Sequence, residues 1–330
     1  MQPPRKARAP AILLVKTSSM GDVVHALPAI SDLAHHLPDA SIDWMVEDAF
    51  ADLPRLHPAI RNVIPVAMRR WRQAPWSEAA RVEFARFRTA LRWQVYDVVI
   101  DAQGLLKSAL LARFAHGEHA GQGFGYAREP LAALFYRSRV AVPWTLPAIA
   151  ANRAIVAAAV GFTDLSASVP DYGLNPAALD AAWLPQQPYA VLLHAASNQI
   201  KLWADNHWLE IGRYLHGRGL NCVLPGGTAD ERAHADKLAA GIPGAVAAPA
   251  LRLGEAAGLL KAARLVIGVD SGLTHLAAAV GTPAIALFSA SDPSRTGVVA
   301  MQDCKARNLG KDGEPPAPAL VIATADEFLA

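Results

Sequence analysis

Short apolar runs alternate along the chain with longer segments whose apolar residues recur every three to four positions. The runs at 11–16, 42–46, 62–66 and 96–101 have strand length, and the segments at 23–37, 77–93 and 104–115 have helix period. In the first of these helices Leu27, Ile30, Leu33, Ala34 and Leu37 keep one face apolar, while Pro28 must either kink it or start its regular part. A second series follows, with strands at 189–194, 220–224, 264–269 and 283–288 and helices at 206–217, 228–240, 253–263 and 272–280. This alternation predicts βαβ units and parallel sheets, an α/β fold. Between the series lies TDLSASVPDYGLNPAALDAAWLPQQP (163–188), rich in proline and small polar residues, which reads as a linker.

Length agrees with that division, because 330 residues exceed what one hydrophobic core usually serves. The expected organisation is a Rossmann-like domain over 1–170, a linker over 171–187 and a second Rossmann-like domain over 188–330, with their sheets facing across a cleft. The tail LGKDGEPPAPALVIATADEF reads as a proline-rich surface segment with a short helix, returning toward the first domain. With 52% apolar and 18% charged residues, the chain reads as globular rather than disordered.

Cys222 and Cys304 lack CxxC or Cys/His ligand spacing and read as reduced thiols of a cytoplasmic protein. MQPPRKARAP is basic, but the apolar run after it is short and has no small-residue cleavage site, so no signal peptide is expected. No stretch has the length of a membrane span.

The net charge of +2 hides an asymmetry: residues 1–140 carry 18 Lys and Arg against 13 Asp and Glu, and the remainder 13 against 16. Nine arginines fall within 53–92, where Glu78 and Glu83 are the only acids. That excess points to an anionic partner. Nucleic acid is disfavoured, since the overall charge is modest and aromatics are not interleaved through the basic stretch.

Parallel sheets bind ligands outside the carboxyl ends of their strands, which singles out four loops. In TSSMGD, the small residues and Gly21 permit close backbone approach, and Asp22 reads either as a helix N-cap or as a general base toward an acceptor hydroxyl. In Asp101-Ala102-Gln103-Gly104-Leu105-Leu106-Lys107, Asp101 and Gln103 read as caps or hydroxyl ligands, with Lys107 near an anion. The third loop, 194–203, carries Lys201, the only Lys or Arg between Arg153 and Arg213, placed to meet a departing diphosphate. In the fourth, Asp270 and Ser271 read as caps, Gly272 lets a ligand approach, and His275 lies one turn into the helix. A Walker A motif, a GxGxxG fingerprint, HExxH and GxSxG are all absent; the glycines of Gly121-Gln122-Gly123-Phe124-Gly125 precede no helix pattern. What remains is a diphosphate held by helix N-termini and a lysine, without a protein-bound metal.

Taken together, KTSSMGDVVHALPA, IPVAMRRWR, YDVVIDAQGLLKSA, AREPLA, KLWADNHW and VDSGLTHLAAA closely resemble the ADP-heptose:lipopolysaccharide heptosyltransferases, and most of all those of type I, in order from about residue 11 to 293. The resemblance implies GT-B architecture and an inverting glycosyltransferase that moves L-glycero-D-manno-heptose from ADP-heptose to the Kdo of Kdo2-lipid A at the cytoplasmic face of the inner membrane. It implies no permanent cofactor, with Mg2+ as an optional assistant. By motif match the catalytic groups are Asp22 as base and Lys201. The donor ligands are Ser197, Lys201, Asp270, Ser271, Gly272, Leu273, Thr274 and His275. Ala196 and Ser197 stand where close relatives carry two threonines, so Ala196 offers no hydroxyl. Ser19, Met20, Gly21, Asp101, Gln103, Lys107, Arg128 and the arginines Arg69, Arg70 and Arg72 flanking Trp71 in a loop are expected on the acceptor side. The alternatives are a type II heptosyltransferase and a sugar-nucleotide epimerase of the same architecture. A two-domain ligand-binding protein would ordinarily be exported.

Overall fold

The computed structural model describes residues 9–330, so most of the basic leader, MQPPRKAR, lies outside the described residues. The chain divides into two compact units, the first ending at Ser168 and the second beginning at Val169.

The first unit contains β1 (Ala11–Val15), β2 (Ser41–Glu47), β3 (Ile60–Val66), β4 (Val95–Asp101), β5 (His116–Gln122) and β6 (Ser138–Val140). Its helices are α1 (Met20–His36), α2 (Asp52–Arg55), α3 (Met68–Gln73), α4 (Glu78–Leu91), α5 (Leu106–Ala112) and α6 (Ala148–Val160). The six strands form one parallel sheet in the order β3-β2-β1-β4-β5-β6. Every residue of β1 is buried, as expected of a central strand covered on both faces.

α1 runs through Pro28 without interruption, so the proline neither starts nor ends it. Along it lies α6, whose Arg153 makes a bidentate pair with Asp32, Nε to Oδ2 at 2.6 Å and Nη2 to Oδ1 at 3.0 Å, in a buried setting. Asn152 Nδ2 also donates to the His25 carbonyl at 3.3 Å. α6 thereby holds the helix whose first turn carries Asp22.

The second unit contains β7 (Tyr189–Leu193), β8 (Asn221–Leu224), β9 (Val246–Ala247), β10 (Leu265–Val269), β11 (Ala284–Phe288) and β12 (Ala306–Gly310). Its helices are α7 (Asp205–Gly217), α8 (Ala229–Ala240), α9 (Leu253–Ala262), α10 (Gly272–Ala279), α11 (Pro293–Thr296) and α12 (Pro318–Leu329). The sheet order β12-β11-β10-β7-β8-β9 is again all parallel and has the same winding as the first.

Towards the carboxyl end the chain supplies β12 to the edge of the second sheet, paired with β11, and then α12, a helix of 12 residues. Val321 and Ala325 of α12 are buried in the same core cluster as Leu192, Trp208 and Leu287.

In each sheet the strand order reverses between the first and fourth strands, β1 and β4 in one, β7 and β10 in the other. Loops leaving neighbouring strands diverge there to opposite faces and leave a crevice, which is where open parallel sheets bind ligands. The four loops selected from sequence are the four that leave these strands.

Candidate functional site

In the first unit the loops after β1 and β4 are tied to each other. Gln103 Oε1 accepts the Thr17 N–H at 2.9 Å and the Ser18 N–H at 3.1 Å, and the Lys16 ammonium donates to the Ala102 carbonyl at 2.8 Å. Gln103 is therefore committed through its oxygen to holding the 17–18 loop.

Asp22 is not the N-cap. Ser19 is, and Asp22 sits at the third helical position, where its Oδ2 accepts the Ser19 N–H at 2.7 Å and the Ser19 hydroxyl at 3.1 Å. This is the return half of a capping box. One carboxylate oxygen is thus anchored to the backbone, while Oδ1 has no partner among the described residues and the residue is only half-buried. The arrangement presents a fixed, solvent-reachable acceptor beside the positive end of α1. Ser19, expected on the acceptor side, spends both its N–H and its hydroxyl on Asp22.

Asp101 takes the capping alternative of the sequence reading. It is buried, and its carboxylate accepts from the Gln103 and Gly104 N–H groups at 2.9 and 3.1 Å, from Ser108 Oγ at 2.9 Å and from Tyr136 Oη at 2.8 Å. Both oxygens are occupied within the unit, so Asp101 shapes the loop. Burial pushes its carboxyl up and the hydrogen bonds only partly offset this. Gly121, the first of the crowded glycines of 121–125, is explained by the same tyrosine: a Cβ on it would lie 2.5 Å from the Tyr136 ring.

Lys16 is the residue that sequence reasoning passed over. Its ammonium is buried at the end of β1, where desolvation pulls its pKa down while the charges of Asp22 and Asp101 oppose that shift. A lysine at the carboxyl end of an apolar strand was the available signal, in the first letter of KTSSMGD.

Arg69, Arg70 and Arg72 lie on α3, a short helix rather than a loop. α3 is held at the carboxyl edge of the sheet because Glu47, ending β2, accepts the Arg69 N–H at 3.1 Å and donates its own N–H to Thr17 O at 3.0 Å. Arg70 is engaged by Asp48 at 2.7 Å and Glu83 at 3.0 Å, and Glu83 also accepts from Trp71 Nε1 at 2.9 Å. Arg70 is thus a clamp within the unit, and Trp71 packs among Phe84 and Phe87. Arg72 and Arg128 are exposed and Lys107 is half-buried, none with an acidic partner among the described residues, and the Arg69 guanidinium lies over the Phe50 ring. Arg128 adjoins Glu129, whose carboxylate accepts the Leu106 N–H at 2.7 Å, which sets it beside the 101–107 loop.

In the second unit the loops after β7 and β10 meet at an ion pair, Lys201 Nζ to Asp270 Oδ2 at 2.6 Å. Asp270 does not cap α10; Ser271 is the N-cap residue. The Asp270 carboxylate instead receives Lys201, Ser291 Oγ at 2.7 Å and His275 Nε2 at 3.6 Å. Burial pushes this carboxyl up, but His275, Lys201 and Ser291 outweigh it and hold Asp270 well below the usual carboxylate range. Thr274 is buried, its hydroxyl donating to Val269 O at 2.6 Å, so it secures the turn from inside. Ser271, Gly272 and Leu273 are half-buried, and Ser197 is exposed. Ser291 was invisible from sequence, since it comes from the loop after β11.

A second polar chain was also missed. Buried His194 Nδ1 lies 3.0 Å from His234 Nδ1, and His234 Nε2 lies 2.8 Å from Asp205 Oδ1. Burial and then the neighbouring His234 pull the His194 pKa down to about 4, so it is a neutral ring at the root of the Lys201 loop. Among the described residues no group of His, Cys, Asp and Glu is placed to hold a metal ion, and no helix is long and apolar enough to cross a membrane.

Residues 84–319 match glycosyltransferase family 9 (heptosyltransferase). The chain is 44% identical over 310 residues to lipopolysaccharide heptosyltransferase 1 of Pseudomonas aeruginosa, a match spanning 94% of this chain and 86% of that protein. Its fold is similar to that of the E. coli heptosyltransferase WaaC with ADP, with a TM-score of 0.88 and 36% identity over 96% of this chain and 99% of that one. For WaaC with ADP-2-deoxy-2-fluoro heptose the TM-score is 0.84 over the same shares of both chains.

Proposed function

The chain belongs to glycosyltransferase family 9, the heptosyltransferases, and from that premise we propose that it transfers heptose from ADP-heptose to the Kdo of Kdo2-lipid A. The observation that carries this is the 44% identity, sustained over 94% of the chain, to a type 1 lipopolysaccharide heptosyltransferase. It favours the type I reading over the type II and epimerase alternatives. A lipid acceptor puts the reaction at the cytoplasmic face of the inner membrane, with the protein attached peripherally.

The chemistry follows from the two sets of groups. Asp22, through its unpartnered oxygen, accepts the proton of the acceptor hydroxyl as that oxygen attacks the heptose anomeric carbon. The anomeric C–O bond to the diphosphate breaks on the opposite face, so configuration inverts and ADP leaves. Negative charge grows on the departing diphosphate, and the Lys201 ammonium, with the N–H groups at the start of α10, meets it. Lys16, buried behind this loop, donates its ammonium to the Ala102 carbonyl and so ties the Asp22 loop to the loop after β4. Lys107, Arg69, Arg72 and Arg128 supply cations for the anionic acceptor.

The test is incubation with ADP-heptose and Kdo2-lipid A followed by mass spectrometry. A product heavier by one heptose is expected. Release of ADP without such a product, or conversion of the sugar nucleotide alone, refutes the reading.

A further inference from the structure

The outer face of α4 is unlike that of a water-facing helix. Its inner face packs Phe84, Phe87 and Leu91 against the core of the first unit. Outward, Val82, Ala85 and Thr89 follow one another at helical spacing and are all exposed, where charged residues are the usual occupants. Trp76, immediately before the N-cap Ser77, is 89% exposed, and Trp93, immediately after the C-cap Arg92, is 84% exposed. The 14-residue helix, roughly 20 Å long, stands between the two indoles.

Arg81, Arg86 and Arg92 are exposed around this stripe, and no hydrogen bond or salt bridge ties them to an acid among the described residues, although Arg86 lies near enough to Glu83 to act on its charge. Of the two acids on the helix, Glu83 is committed to Arg70 and Trp71, which leaves Glu78. Arg88 is excluded, because its guanidinium lies over the Phe114 ring.

We propose that this face, with Trp76 and Trp93 at its ends and Arg81, Arg86 and Arg92 around it, docks the protein on an anionic lipid bilayer. Indoles partition to the headgroup level, where the ring is in an apolar setting and its N–H stays wet. Arginines beside them are drawn to anionic headgroups, and the two contributions together give the reversible binding of an interfacial helix. The charge complementarity and the wide spacing of the indoles fit a flat anionic surface. A protein partner would more often gather its aromatic anchors into one central patch. The inference names the surface behind the peripheral attachment proposed above, and its test does not depend on sugar transfer.

The experiment is co-sedimentation of the full chain with phosphatidylglycerol-containing vesicles and with pure phosphatidylcholine vesicles. Binding to the former, weakened by added salt, is expected. Trp76→Ser with Trp93→Ser, and separately Arg81→Gln with Arg86→Gln and Arg92→Gln, should each weaken partitioning at least tenfold with an unchanged circular dichroism spectrum. These side chains are exposed, so the fold does not depend on them. Transfer to a soluble, deacylated acceptor should be unaffected. Absence of vesicle binding, equal binding to phosphatidylcholine, wild-type partitioning by either variant, or a dimer in sedimentation that the tryptophan variant dissociates would overturn the proposal. Vesicle binding as described in a protein that transfers no heptose would sink the proposed function and leave this surface standing.

Discussion

Lys201→Met removes the ammonium and keeps most of the apolar stem. An ammonium has three N–H donors, and in the structure one is spent on Asp270 at 2.6 Å. Two remain for a diphosphate, and the ion pair with the buried Asp270 fixes where they point. A charge-assisted hydrogen bond contributes about 1.5–3 kcal/mol, so loss of one such contact should weaken ADP binding about 10–150-fold. Isothermal titration with ADP measures this directly, and donor kcat/KM should fall by at least as much if the charge on the leaving group grows in the transition state. The substitution also acts on Asp270. Its folded pKa is depressed, so the stability it contributes is present above its unfolded value, near 3.9, and is lost as pH falls through the folded value. Removing Lys201 leaves His275 and Ser291 as its partners, raises the folded pKa and lowers the urea midpoint at neutral pH. Wild-type ADP affinity in a folded Lys201→Met protein would refute the assignment of Lys201 to the diphosphate.

Asp101→Ala leaves the Tyr136 hydroxyl and the Gln103 and Gly104 N–H groups without their acceptor, a loss of about 3–5 kcal/mol in urea unfolding; an unchanged midpoint with a raised acceptor KM would instead make Asp101 an acceptor ligand. His194 has a folded pKa pulled down to about 4, so below its unfolded value near 6.5 the unfolded chain takes up a proton the folded one refuses. Stability should therefore fall by up to about 3 kcal/mol as pH drops from 6.5 to 4. Urea midpoints across that range should show this slope in the wild type and less of it in His194→Asn; identical slopes would contradict it.

The two sheets were largely legible because β1, β2, β4, β7, β10 and β11 are apolar runs in a polar frame, and a strand buried on both faces has to be such a run. β5 reads HGEHAGQ and carries no such signal; Gly121 is there to clear Tyr136. α6, AIAANRAIVAAAV, is apolar on nearly every face, which blurs the helical period. The four site loops could be read because each follows an apolar strand, and the order of the strands then places them at the two switch points. Their internal pairing could not. Asp101 meets Tyr136 across 35 positions, Asp270 meets Ser291 across 21, and Arg70 finds Asp48 and Glu83 across 22 and 13. Contacts of that kind come from the packed fold and have no local pattern. For this reason the engagement of Asp101 and Arg70 in holding their own loops could not be read from the sequence.

The central claim is that Asp22 takes the acceptor proton. Asp22→Asn tests it most directly, because the amide oxygen can still accept from the Ser19 N–H and hydroxyl and so preserve the start of α1. With ADP-heptose and Kdo2-lipid A as substrates, the account predicts wild-type ADP affinity, a urea midpoint lowered only by the loss of about 0.3–1 kcal/mol from a carboxylate at a helix start, and a kcat lower by about 10²–10⁴-fold, the usual contribution of a general base. Wild-type turnover by the folded Asp22→Asn protein would contradict it.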